Sequence, residues 1–241
     1  MADARQFRSG RRLALAGATA VAWWLGAPMR PAMPAATVVR ELDLADFDRL
    51  VLQVPANVEI VLGDRNHARI EGERKVVDSI DFRDRDGQLQ VVAGRSFQTQ
   101  EPIHIRITCR RLLALQAHSS VDASVSGLEG EGFSLSAADS ATISLERMNL
   151  SALDADISGS ATVTASGKVR MQKVRIGGAG GYDARKLESR RGVVDASGSS
   201  DVVIDSREQL EATVSGAATV QYQGNPALKQ SVSGAGTLER R

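Results

Sequence analysis

The phrase Ser158-Gly-Ser-Ala-Thr-Val163 has near-copies at Ala138 to Ile143, Gly177 to Tyr182, Ser197 to Val202, Ser215 to Val220 and Ser233 to Leu238, with a degenerate one at His118 to Ala123. Taking the second residue of each copy as reference gives Ser119, Asp139, Gly159, Gly178, Gly198, Gly216 and Gly234, at steps of 20, 20, 19, 20, 18 and 18 residues. So steady a period constrains the fold more than any composition does. Each unit is too short to bury an apolar face alone, so the copies must stack on one another.

The columns of the repeat show which face is buried. Two residues before the reference stand Ala117, Ala137, Ile157, Ile176, Ala196, Val214 and Val232, and four after it Ala123, Ile143, Val163, Tyr182, Val202, Val220 and Leu238. Two after it the residues are small: Val121, Ala141, Ala161, Gly180, Ser200, Ala218 and Gly236. The intervening positions are mostly Ser, Thr, Asp or Gly. Alternation of this kind is the period of a strand, not of a helix. Strands of about five residues recurring with each copy predict a β-solenoid with one coil per copy. A sandwich or an antiparallel barrel has comparable strand counts, but neither requires equivalent residues to align column by column. The expected fold class is therefore all-β, a parallel β-solenoid.

The reference glycines fit a bend, where only a residue without a side chain lets backbones approach closely and tolerates positive φ. Gly177-Gly178-Ala179-Gly180-Gly181 also suggests a phosphate cradle, but no helix and no Lys-Ser/Thr follow, and the stretch is in phase with the other copies. A calcium-binding Gly-Gly-x-Gly-x-Asp coil is excluded on similar grounds, because Tyr182 stands where that motif needs Asp.

The N-terminus reads as an address. Arg5, Arg8, Arg11 and Arg12 precede an apolar run from Leu13 to Ala27, too short for a comfortable membrane span. Pro28, Pro31 and Pro34 then break any helix, and Ala35-Ala36 offers a cleavage site. Residues 1–36 are expected to be a secretory signal peptide, leaving no membrane span after cleavage. Arg11-Arg12 raises the twin-arginine route without strong flanking support. The one cysteine, Cys109, allows no internal disulfide and excludes N-terminal lipidation, so the core alone must hold the fold. The 30 basic and 29 acidic residues nearly cancel, which leaves no field to attract nucleic acid. Aromatics are 4%, and both tryptophans, Trp23 and Trp24, lie in the leader, so no stacking platform for bases or sugar rings is evident.

After the leader, residues 37–112 form a less regular strand-rich part, and residues 113–241 the regular coils of the same domain. Leu50 to Val54, Val58 to Leu62, Ala68 to Gly72, Ile80 to Phe82, Leu89 to Val92 and Ile103 to Thr108 read as strands. Asp84-Arg-Asp-Gly87 is a hairpin turn signal, and a short helical stretch is expected around Arg74 to Ser79. These residues together resemble a known family. The opening Phe47-Asp-Arg-Leu-Val-Leu52, then Val58-Glu-Ile-Val-Leu-Gly-Asp64, the Val-Ser-Gly-Ala/Ser copies, Tyr222-Gln-Gly-Asn-Pro226 and Val232-Ser-Gly-Ala-Gly236 look like the head GIN domain of exported bacterial proteins, which carries an auto-transporter adhesin label. The resemblance runs over residues 43 to 239. It implies a right-handed parallel β-helix and an envelope or surface setting, and brings no catalytic residues with it. Ser119 and Asp139 depart from the family's usual Gly.

No chemistry stands out. His67, His104 and His118 are far apart, without cysteine or paired carboxylates at metal spacing. No Gly-x-Ser-x-Gly elbow marks a nucleophilic serine. Cys109 ends an alternating strand and is expected to be a small buried hydrophobe. Asp139, Asp154, Asp156, Asp183, Asp195 and Asp201 raise the possibility of a polysaccharide-cleaving β-helix, whose carboxylates sit on neighbouring coils about 4.8 Å apart. Asp139 falls in a nominally inward column and is expected to meet backbone donors near a bend. No enzyme, cofactor or metal is expected. Two classes remain: a module that binds a glycan or an envelope protein through Ser140, Thr142, Ser160, Thr162, Ser199, Asp201 and Thr219, and an assembly element of the envelope. For the second, the final copy, Leu228 to Leu238, carries the apolar column to the last coil with only Glu239-Arg240-Arg241 beyond it, so self-association into a homo-oligomer is expected there.

Overall fold

Alternating apolar residues let one 18-stranded sheet coil into two facing layers with a continuous core between them. The structure, a computed structural model, describes residues 37–94 and 102–241; the leader expected over 1–36 lies outside them. The described residues open with β1 (Thr37–Asp43) and a first coil of β2 (Arg49–Gln53) and β3 (Asn57–Leu62). It then reverses through β4 (His67–Glu73), the helical turn α1 (Arg74–Val77) and the hairpin of β5 (Ile80–Arg85) and β6 (Gln88–Ala93). After β7 (His104–Cys109) come β8 (Ala114–Ala117), β9 (Asp122–Ser126), β10 (Glu129–Ala137), β11 (Thr142–Ile157), β12 (Thr162–Ile176) and β13 (Gly181–Ala196). The last coils are β14 (Asp201–Asp205), β15 (Gln209–Val214), β16 (Thr219–Gln223), β17 (Ala227–Val232) and β18 (Thr237–Arg240).

The first face stacks β6, β2, β8, the end of β10, the later halves of β11, β12 and β13, then β15 and β17, all parallel. The second face stacks β7, β3, β9, the earlier halves of β11, β12 and β13, then β14, β16 and β18. This is the expected β-solenoid, with about six turns. In the middle coils pairing continues round the bend between the faces, so β11, β12 and β13 reach 15 to 16 residues where the repeat pattern predicts about five. The predicted inward columns are inward except in the last coil, where Val232 is 43% exposed: Ile143, Val163, Tyr182, Val202 and Val220 are in register across five coils and at most 1% exposed.

Each of the seven reference residues has positive φ, from 62° at Asp139 to 99° at Gly178. The corner they form is stacked by a backbone ladder: the Ala179 N–H donates to the Gly159 carbonyl at 2.8 Å, and the Ser199 N–H to the Gly178 carbonyl at 2.7 Å. A Cβ on Gly178 would lie 2.5 Å from the Gly159 oxygen, which is why the column is glycine there. Between Ser119 and Asp139 a side chain makes the link, the Asp139 carboxylate accepting the Ser119 N–H at 2.8 Å. That corrects one expectation. Asp139 does meet a backbone donor at a bend, but it is exposed rather than inward, because the corner turns its side chain away from the core.

Two features of the first 90 residues bear on function. The coil β2/β3 is not at the end of the stack but between β6/β7 and β8/β9, although it precedes β6 in sequence. The N-terminal end is closed: β5 lies antiparallel on β6, β4 antiparallel on β7, β1 antiparallel on β4, and α1 turns Val76 and Val77 into the core. The predicted Asp84 to Gly87 hairpin is present, with Asp86 at φ 52° and Gly87 at φ 73°.

Candidate binding surface

The polar residues singled out in the repeat occupy two positions, one on the second face and one at the corner. Thr142, Thr162, Asp201 and Thr219 share a column on the second face, in register with Asp122 at one end and Thr237 at the other, with Gly181 interrupting between Thr162 and Asp201. All are exposed except half-buried Thr219. Ser140, Ser160 and Ser199 are exposed too, but sit at the corner, each one residue past the positive-φ position. The structure therefore brings the threonine column together as a flat strip and leaves the serines on its rim.

Another outward column of the second face, Ser124, Ser144, Thr164, Asp183 and Val203, runs beside the threonine column. Its hydroxyls partly satisfy each other: Thr164 Oγ1 donates to Ser144 Oγ at 3.3 Å. The threonine hydroxyls are thus the freer hydrogen-bonding groups. Towards the N-terminal end the same face runs into a polar concavity of about 490 Å³, lined by Asn57, Glu59, Arg69, His104, Arg106 and Asp122 among others. Arg106 pairs with Glu59 at 3.2 Å, and Arg69 with Glu71 at 3.5 Å. Sequence reasoning missed this hollow. The alternation in Ile103 to Thr108 does turn His104 and Arg106 outward, but nothing in it says that Asn57 and Glu59 lie beside them.

Three of the candidate carboxylates, Asp154, Asp156 and Asp183, are engaged by arginines. Asp154 and Asp156 both accept from Arg175, at 3.1 and 3.2 Å. Burial alone would raise the Asp183 pKa, but hydrogen bonds and charge from Arg185 outweigh it and hold the carboxyl below its ordinary value. A general acid needs the opposite shift. Among the described residues no three His, Cys, Asp or Glu side chains converge as metal ligands. Cys109 is fully buried, and burial pushes its thiol up to about 11, away from the thiolate a nucleophile requires.

One polar cluster lies inside the coil. Gln172, fully buried, donates to Ser189 Oγ at 2.8 Å and to the Asp205 carbonyl at 3.0 Å, and accepts from the Tyr182 hydroxyl at 3.0 Å. Ser189 Oγ donates to the same carbonyl at 2.6 Å. Every member has a partner, so the cluster pins neighbouring coils in register and is closed to ligand. Desolvation drives the Tyr182 pKa far up, keeping the hydroxyl a donor.

The parallel stacking of the strands and the in-register polar strip define a β-solenoid. The match to known proteins makes that particular. The model of the family described as "Putative auto-transporter adhesin, head GIN domain" matches residues 46–226, and the chain belongs to this family. No protein of curated function matches the chain. Among solved structures it is similar to a "putative adhesin" from Bacteroides fragilis, at 18% identity and TM-score 0.80, covering 86% of this chain and 97% of that one. It is also similar to a "Putative lipid binding protein" from Parabacteroides distasonis, at 16% identity and TM-score 0.70, covering 86% and 98%. A third, a "putative adhesin" from Parabacteroides merdae, has 16% identity and TM-score 0.64, covering 86% and 97%. At these identities the likeness is one of fold. Among the described residues no helix is long and apolar enough to cross a membrane.

Proposed function

We propose that the protein is an exported, non-enzymatic binding module of the bacterial cell envelope, and that the second face is its recognition surface. The observation that carries this reading is the threonine column, Thr142, Thr162, Asp201 and Thr219, held at the fixed spacing of a parallel sheet and continuing into the hollow at Asn57 and His104. Groups repeated about every 4.8 Å suit a partner that is itself repetitive, such as a glycan or an extended envelope protein. The adhesin and lipid-binding names borne by its relatives are names of binding proteins and point the same way. Export rests on the basic, apolar and proline-rich leader.

The test expresses the full-length chain in a bacterium, recovers the protein from the periplasm and probes it on a glycan array and by envelope pull-down. Saturable binding to one ligand class is expected, weakened at least about tenfold by Thr142→Ala with Thr162→Ala. Arg175→Ala on the first face should leave it unchanged. The same preparation reports export: mass spectrometry should find a chain starting near Ala36. An intact Met1 in the membrane pellet would overturn the localisation, and equal loss of binding from both faces would overturn the surface.

A further inference from the structure

The two ends of the solenoid are built differently. The N-terminal end is closed by α1 and antiparallel strands, and β5 there carries Asp81, Arg83, Asp84 and Arg85, charges that discourage a further strand from pairing. At the other end no described residue covers β17 and β18. Leu228 and Val232 are 39% and 43% exposed, although the equivalent Leu210 and Val214 of the coil before are buried.

The open end has a definite pattern of free backbone groups. The Ala227 and Ser233 N–H groups donate inward along the stack, to the Glu208 and Val214 carbonyls, and those of Thr237 and Arg241 to Ala218 and Tyr222. In a parallel ladder both backbone groups of a residue point to the same side and alternate residues point oppositely. Leu228, Gln230 and Val232, and likewise Gly236, Leu238 and Arg240, therefore aim theirs out of the end.

We infer that this end is a homodimer interface, in which a second copy pairs antiparallel, β17 on β17 and β18 on β18, about a two-fold axis through Gln230 and Leu238. Both residues stand four positions from the Gly234 corner, so one axis perpendicular to the strands passes through both. This register sets Leu228 against the partner's Val232, apolar on apolar, and Lys229 against the partner's Ser231. Centring on Lys229 would place two lysines face to face, which is unfavourable. Gln230 meets its own copy, and its amide both donates and accepts.

The same register explains two departures from the repeat. Gln230 ends an inward column that reads Val174, Val194 and Ala212 before it, and Arg240 ends one that reads Ala184, Ile204 and Tyr222. Arg240 would lie over the partner's Gly236, where no side chain obstructs it, while donating to Asn225 Oδ1 at 3.2 Å. An isologous contact closes on itself, so a dimer and not a filament follows. It would also join the two second faces into one strip of double length.

Light scattering on the protein recovered after export should give twice the chain mass at micromolar concentration. A single Gln230→Cys variant should form a covalent dimer on mild oxidation, because directly opposed hydrogen-bonded residues lie about 5.5 Å apart at Cα, within disulfide range. Lys229→Cys, off the axis, should cross-link at least about tenfold more slowly. Native Cys109 is buried and gives no background. Leu238→Lys places two charges together on the axis and should return the protein to monomer with its circular dichroism spectrum retained. A monomeric wild type overturns the proposal. So does a dimer that cross-links no better at position 230 than at 229, an outcome that remains informative even if Leu238→Lys misfolds.

Discussion

At the scale of single residues the corner column does most to set the pitch of the coil. Positive φ alone does not require glycine, since Ser119 and Asp139 adopt it at 69° and 62°. What separates them from Gly178 is the space above: a Cβ on Gly178 would meet the Gly159 carbonyl oxygen at 2.5 Å, backbone that cannot move without shearing the ladder. Gly178→Ala should therefore cost about 2–4 kcal/mol, a left-handed alanine plus overpacking. Asp139→Ala involves no such overpacking and loses chiefly the carboxylate that accepts the Ser119 N–H, so about 1 kcal/mol is expected. Urea denaturation of the two variants checks the ranking. Equal losses would mean that the corner is held by its side-chain link rather than by close backbone stacking.

At the scale of the strand, alternation decides everything, because a shift of one residue exchanges the core face for the solvent face. Val163 is fully buried between Ile143 and Tyr182, and its neighbour Thr162 points to water beside Thr142 and Gly181. Val163→Asp should cost several kcal/mol, on the order of the stability of a whole domain, through an unpaired carboxylate in the core. Thr162→Asp should cost under about 1 kcal/mol. Similar melting shifts at the two positions would refute the register. This alternation was legible in the residues themselves, as was the corner column, including the two positions that are not glycine. Gln172 was not. It stands in register with Leu153 before it and Gly192 after it, and the hydroxyls of Tyr182 and Ser189 with the Asp205 carbonyl make an inward amide tolerable. Nothing local in Val169 to Val174 signals those partners.

At the scale of the molecule, the order of coils in space is what the sequence hides. Apolar periodicity says which side chains turn inward, but every strand offers the same backbone donors and acceptors, so it cannot say which strands pair. The hollow at Asn57, Glu59, His104 and Arg106 was hidden for that reason: it exists only because β3 pairs with both β7 and β9. That insertion has a consequence for stability. In a solenoid wound in sequence order, the first coil sits at an end and frays, since terminal units open at the lowest free energy. Here β2 and β3 are hydrogen-bonded on both sides, and Leu50, Leu52 and Ile60 are fully buried. In native-state hydrogen exchange the amides of Leu50 to Leu52 and Val58 to Val61 should be as protected as those of Thr142 to Leu145 in the middle of the stack. The amides of β1, an edge strand in which no residue is fully buried, should exchange orders of magnitude faster. Protection that instead rose steadily along the chain from Thr37 would indicate a coil order that follows the sequence, and the inserted coil would have to be abandoned.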